Sequence, residues 1–137
     1  MGQIFHYKIK VRYCEVDAMK RVHNSVYQVY FEEARVDLVR KHGYPYEEIE
    51  KDGYLMPISE LNIKFTEPIA YEEEVTVQVT LQYIKNYSMK FLYKIVKNDN
   101  SIACEGFTIH AVICKEKIDF IEIPDKVRDI LSIYLVK

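Results

Sequence analysis

The hydrophobic period of this chain changes from two to about 3.6 near residue 24, and that change limits the folds open to it. From Ile4 to Tyr13, Phe5, Tyr7, Ile9, Val11 and Tyr13 alternate with His6, Lys8, Lys10 and Arg12, the pattern of a half-buried strand. After residues 15–23 the period becomes about 3.6. Tyr27, Tyr30, Phe31, Ala34 and Leu38 then share one stripe of a helix expected over 24–42, with Gly43 placed to end it and Pro45 just beyond. One long helix cannot bury its stripe against itself, so a sheet must come from the rest of the chain.

The rest reads as strands. Tyr46 to Asp52 marks a short helical turn before Gly53. Leu61, Ile63 and Phe65 alternate with polar neighbours up to Pro68, and Val75, Val77, Val79 and Leu81 do the same further on. A turn at Lys85-Asn86 leads to Tyr87, Met89, Phe91, Tyr93 and Ile95 in one phase. A second turn over 98–101 precedes a strand from Ile102 to Lys115 with apolar residues in both phases, which predicts cover on both faces. Pro124 and Asp125 open a short helix carrying Val127, Ile130, Leu131 and Tyr134. The pattern predicts a single α+β domain over 1–137, an antiparallel meander wrapped around one long helix. Its two open edges favour pairing with a second copy.

Composition excludes several classes. A formal net charge of −2 gives no electrostatic footprint for nucleic acid. Cys14, Cys104 and Cys114 are an odd number without metal-ligand spacing, so neither a disulfide framework nor a zinc site is expected. The N-terminus MGQIFHYKIK is charged too early for a signal peptide, and no apolar run approaches the ~20 residues of a membrane span. These features predict a soluble cytoplasmic protein whose partners are small molecules or protein.

The residues with chemical potential gather in YCEVDAMKRVHNSVYQVYFEEAR, from Tyr13 to Arg35. Asp17 stands in the loop before the helix. It reads either as a solvated or capping aspartate, or as a carboxylate in an apolar pocket between Tyr13, Met19 and Val22 that deprotonates water or attacks a carbonyl. Asn24 and Ser25 read as side-chain caps or, through their backbone N–H groups, as oxyanion donors. His23 has no second ligand at metal spacing and reads as a substrate hydrogen-bonding group or a structural histidine. Tyr27 belongs to the core stripe and could also line a pocket. Glu32 and Arg35, at i,i+3, form a surface pair unless Glu32 turns toward a cleft. Lys64, Lys90, Lys94 and Lys97 read as solvated strand faces, with phosphate binding as the alternative.

Taken together, YCEVDAMKRVHNSVYQVYFEEAR resembles the signature of the 4-hydroxybenzoyl-CoA thioesterase-like branch of the hotdog-fold acyl-CoA thioesterases, and FTEPIAYEEEVTV resembles that family's aromatic-x-x-Pro segment. The resemblance implies a hotdog fold and hydrolysis of an acyl-CoA to free acid and CoA. It makes Asp17 the catalytic carboxylate, the N–H at Asn24 the oxyanion contact, and His23, Tyr27 and Glu32 shaping or orienting residues. It also implies a site at the interface of a homodimer or homotetramer, with no metal and no organic cofactor. A non-catalytic acyl-CoA-binding module and a carrier-protein thioesterase are the alternatives on the same fold. The chain departs from the pattern at Lys20 and at Glu72, where the family commonly has glycine.

Overall fold

The structure, a computed structural model, describes residues 2–136. A strand β1 (Phe5–Lys10) leads through 3-10 turns at Tyr13–Glu15 and Asn24–Val26 into α1 (Tyr27–Lys41) and α2 (Tyr46–Lys51). Strands β2 (Tyr54–Leu55), β3 (Ile58–Phe65), β4 (Glu74–Ile84), β5 (Ser88–Lys97), β6 (Ile102–Ala111) and β7 (Ile113–Cys114) follow, then α3 (Asp125–Ser132). Five strands form one antiparallel sheet in the order β1-β4-β5-β6-β3, and β2 pairs with β7 separately.

The helix stripe read from the sequence is the buried one: Tyr27, Tyr30, Phe31, Ala34 and Leu38 all lie in the core. It packs on Val77, Val79, Leu81, Phe91, Tyr93 and Ile95, the inward phase of β4 and β5. Phe31 stacks on Tyr93 at 4.2 Å. A Cβ on Gly106 would run into the Asn62 carbonyl oxygen of β3 and lie 2.8 Å from Phe31 Cε2, so that position takes only glycine. Gly43 ends α1 at φ +79°, as its position suggested. No described helix is long and apolar enough to cross a membrane.

Three expectations need correction. Only β4, β5 and β6 form the meander: β3 crosses to the far side and pairs with β6, becoming an edge. Tyr13 is not a core position, because the strand has already ended; it lies in a 3-10 turn, 63% exposed, while Glu15 turns inward. The strand expected over 102–115 breaks at Val112, and its residues are not apolar on both covered faces. Phe107 and Ile109 lie on the half-exposed outer face, whereas Thr108 and His110 face the helix and are fully buried.

The polar residues go inside because they complete a hydrogen-bonded chain. Arg35 Nη1 donates to Tyr93 Oη at 3.1 Å. Tyr93 Oη lies 2.6 Å from Thr108 Oγ1, which is 2.9 Å from His110 Nε2, and His110 Nδ1 lies 3.0 Å from the Met56 carbonyl oxygen. Arginine only donates and a carbonyl only accepts, so the direction of every bond is fixed. Each hydroxyl donates onward, and His110 is neutral with its proton on Nδ1. Burial, reinforced by the Arg35 charge, pushes the His110 pKa down to about 4.

The unfolded chain binds this proton more readily than the folded one, so the stabilisation is complete above about pH 6.5 and is lost as pH falls toward 4. The loss is on the order of 3 kcal/mol. Urea unfolding across this range should show that decline, and His110→Gln should flatten it.

Candidate active site

Residues 15–23 form a small hairpin that carries Asp17. Val16 bridges Val22, the Asp17 N–H donates to the Arg21 carbonyl at 2.8 Å, and the His23 N–H donates to the Glu15 carbonyl at 2.9 Å. One side of the hairpin is stitched to the segment before β4: the Val22 N–H donates to Ile69 O, Arg21 bridges Ala70, and the Tyr71 N–H donates to Lys20 O. The base is tied inward by Glu15, a buried carboxylate that sequence reasoning passed over. It accepts from Tyr30 Oη at 2.8 Å and from the Arg12 N–H at 2.8 Å, and it pairs with the Arg12 guanidinium at 3.2 Å. Its polar character hid it; only its i,i+3 spacing from Arg12 signals a partner.

Asp17 is half-exposed near the tip. Its Oδ1 accepts from the N–H groups of Met19 at 2.8 Å and Arg21 at 3.2 Å, while Oδ2 has no hydrogen-bond partner among the described residues. The carboxylate is thus held by one oxygen with the other free. The apolar enclosure expected for it is incomplete in one chain. Val22 is buried, but Met19 is 76% exposed and Tyr13 instead packs edge-on against Tyr71, ring centroids 5.5 Å apart.

His23 caps the first turn of the helical segment: its Nδ1 accepts from the Ser25 N–H at 3.2 Å and lies 2.8 Å from Ser25 Oγ. Ser25 is therefore occupied, whereas the Asn24 N–H has no acceptor among the described residues. Asp17 lies toward the hairpin tip, opposite Arg21, and Asn24 follows the hairpin's last residue, His23, whose N–H closes the base on the Glu15 carbonyl. Tyr27, a turn later, is buried edge-on against Phe65 at 4.9 Å. Burial, with Cys104 and Glu73 nearby, pushes its pKa up to about 12, so it is a neutral wall.

Glu32 is not brought to this cluster. Its side chain is exposed, 3.9 Å from Arg35, and it is Arg35 that turns inward. The described residues hold no group of three or more His, Cys, Asp or Glu side chains arranged for a metal. Lys64 and Lys94 flank Glu105 in one rung of the outer sheet face, away from the hairpin.

Both departures from the glycine pattern fall where the backbone is left-handed: Lys20 at φ +64° and Glu72 at φ +67°. The loop has kept the conformation and lost the residue that adopts it freely.

The sequence matches the thioesterase-like superfamily over residues 11–131. It is 30% identical over 128 residues to a putative esterase of Aquifex aeolicus, covering 93% of this chain and 98% of that protein. It is 28% identical over 109 residues to the putative acyl-CoA thioesterase YneP of Bacillus subtilis, covering 80% of this chain and 79% of that protein. The solved DHNA-CoA thioesterase from Staphylococcus aureus is similar with a TM-score of 0.86 at 27% identity, over 96% of this chain and 88% of that one. The chain belongs to the thioesterase-like superfamily. Its α+β hotdog fold and its class, thioester hydrolase, are those the resemblance implied.

Replacing Glu72 with glycine should relieve the left-handed strain and raise stability by about 1 kcal/mol, read as a higher Tm in thermal unfolding.

Proposed function

We propose that this protein is a cytoplasmic acyl-CoA thioesterase acting through Asp17 and the backbone N–H of Asn24. What supports the reading is a carboxylate anchored by one oxygen in the hairpin over 15–23 together with an unpartnered N–H at Asn24, the residue that follows the hairpin and begins the helical segment. The Asn24 N–H takes the thioester oxygen and stabilises it as it becomes an oxyanion. Asp17 Oδ2 then follows one of two courses. As a general base it takes a proton from water; the water oxygen bonds to the carbonyl carbon, the C–S bond breaks, and CoA leaves with a proton. As a nucleophile it bonds to that carbon itself, expels CoA, and leaves a mixed anhydride for water to cleave. His23 holds the turn that presents Asn24, and Tyr27 with Phe65 forms the apolar wall beside it.

Thiol release from a panel of acyl-CoAs tests this. Asp17→Ala and Asp17→Asn should each lower kcat by about 10²–10⁴-fold. An unchanged rate removes Asp17 from the chemistry, and wild-type binding without thiol release makes the protein a binding module. Single-turnover reaction in labelled water separates the two courses, since only a nucleophilic Asp17 acquires the label.

The active form is a dimer paired through β3. This edge strand exposes Leu61 and Phe65 beside the site, and Ile58 at its start; an open apolar edge of this length is otherwise an aggregation hazard. Light scattering should give a multiple of 16.3 kDa. Leu61→Lys combined with Phe65→Lys should yield a folded monomer with reduced thiol release, and an unchanged mass would exclude this edge.

A further inference from the structure

His23 closes a small ring at the start of the helical segment. Its Nδ1 accepts from the Ser25 N–H at 3.2 Å, while its carbonyl accepts from the Val26 N–H at 3.0 Å. The peptide unit that carries the Asn24 N–H is a member of the ring closed by the first of these bonds, because it lies between the His23 Cα and the Ser25 nitrogen. The aim of the Asn24 N–H therefore depends on that bond.

The bond needs a lone pair on Nδ1. A neutral imidazole with its proton on Nε2 supplies one, whereas an imidazolium carries hydrogens on both nitrogens and supplies none. Protonation turns Nδ1 from acceptor to donor. It can still bond to Ser25 Oγ, 2.8 Å away, but its hydrogen and that of the Ser25 N–H then point at each other. The Ser25 N–H loses its acceptor and the ring opens. The positive end of the helical segment, which disfavours a cation, pushes the same way.

The side chain is exposed, so protons reach it from solvent. The charged groups of the elements around it are engaged elsewhere. In the Tyr13–Glu15 turn, which receives the His23 N–H, the Glu15 carboxylate faces Arg12 and Tyr30. On the hairpin, Asp17 is held through Oδ1 by the N–H groups of Met19 and Arg21. On the segment stitched to the hairpin, Glu73 pairs with Lys97 at 3.2 Å. Among the described residues no carboxylate forms an ion pair with the His23 ring.

We propose that His23 is a pH-dependent positioning residue. Unprotonated, it aims the Asn24 N–H at the thioester oxygen; protonated, it releases that donor, so thiol release slows as the pH falls through the range in which histidines titrate. This rests on the thioesterase reading, in which Asn24 is the oxyanion contact.

Two measurements test the proposal, one of them without turnover. In amide NMR of the protein, the Ser25 amide should shift with the same midpoint as the His23 ring, and that shift should be absent in His23→Asn. A ring that titrates while the Ser25 amide stays still overturns the proposal. In thiol release at saturating acyl-CoA, wild-type kcat should fall by about fivefold between about pH 8 and about pH 5.5, the size of a lost cap. His23→Asn, whose amide oxygen accepts at every pH, should fall by less than about twofold over the same interval, and His23→Ala should be low throughout. His110 is common to all three proteins, so its own response to acid does not separate them. Equal pH profiles for wild type and His23→Asn overturn the proposal and, where Asp17→Asn abolishes release, leave the thioesterase reading standing. Absence of release from every acyl-CoA, with the Ser25 amide responding to pH as expected, overturns that reading alone.

Discussion

The position of the candidate site depends on one buried carboxylate. Glu15 accepts from Tyr30 on α1 and from both backbone and side chain of Arg12, and its own carbonyl receives the His23 N–H. Those bonds hold the end of the first strand, the base of the Asp17 hairpin and the second turn of α1 in one arrangement. A charged acceptor buried with several donors is strongly favoured while all are present and costly when one is lost. Because the hairpin is anchored at its base and stitched along one side to residues 69–71, its tip can stay exposed without being loose. Asp17 is thereby held in place while remaining open to a ligand.

Much of this was legible in the sequence because it follows from period. The stripe Tyr27, Tyr30, Phe31, Ala34 and Leu38 and the alternating phases of β4 and β5 each have one way to avoid water, and they take it. Strand order was not legible, since alternation along β3 says which residues share a face and nothing about which neighbour the strand pairs with; in the structure that face is open, with Leu61 and Phe65 exposed. The place of Asp17 before a helix start was legible too. What held it there was not: the partners of Glu15 lie three and fifteen residues away, and a lone glutamate in a loop carries no pattern.

The inward face of β6 shows the same limit from the other side. By hydrophobicity alone Phe107 and Ile109 belong inside and Thr108 and His110 outside, the reverse of what the structure shows. A chain of donors beginning at Arg35 makes the polar phase the better one to bury, because each group satisfies the next and the Met56 carbonyl ends the series. Glu32 and Arg35 looked like a surface pair for the same reason: helix spacing fixes their separation but not which of them turns toward the sheet.

The two glycine departures show how the loop conformation and its residues can separate. Lys20 and Glu72 adopt left-handed backbone that glycine takes freely, so the hairpin and the turn before β4 are held by their bonds to one another and not by local preference. A crystal structure of the protein with a non-hydrolysable acyl-CoA thioether ketone would test the central claim most directly. The account requires the carbonyl oxygen within about 3 Å of the Asn24 N–H and Asp17 Oδ2 within about 3.5 Å of the carbonyl carbon or of a water aimed at it. A ligand bound with its carbonyl remote from both groups would contradict it.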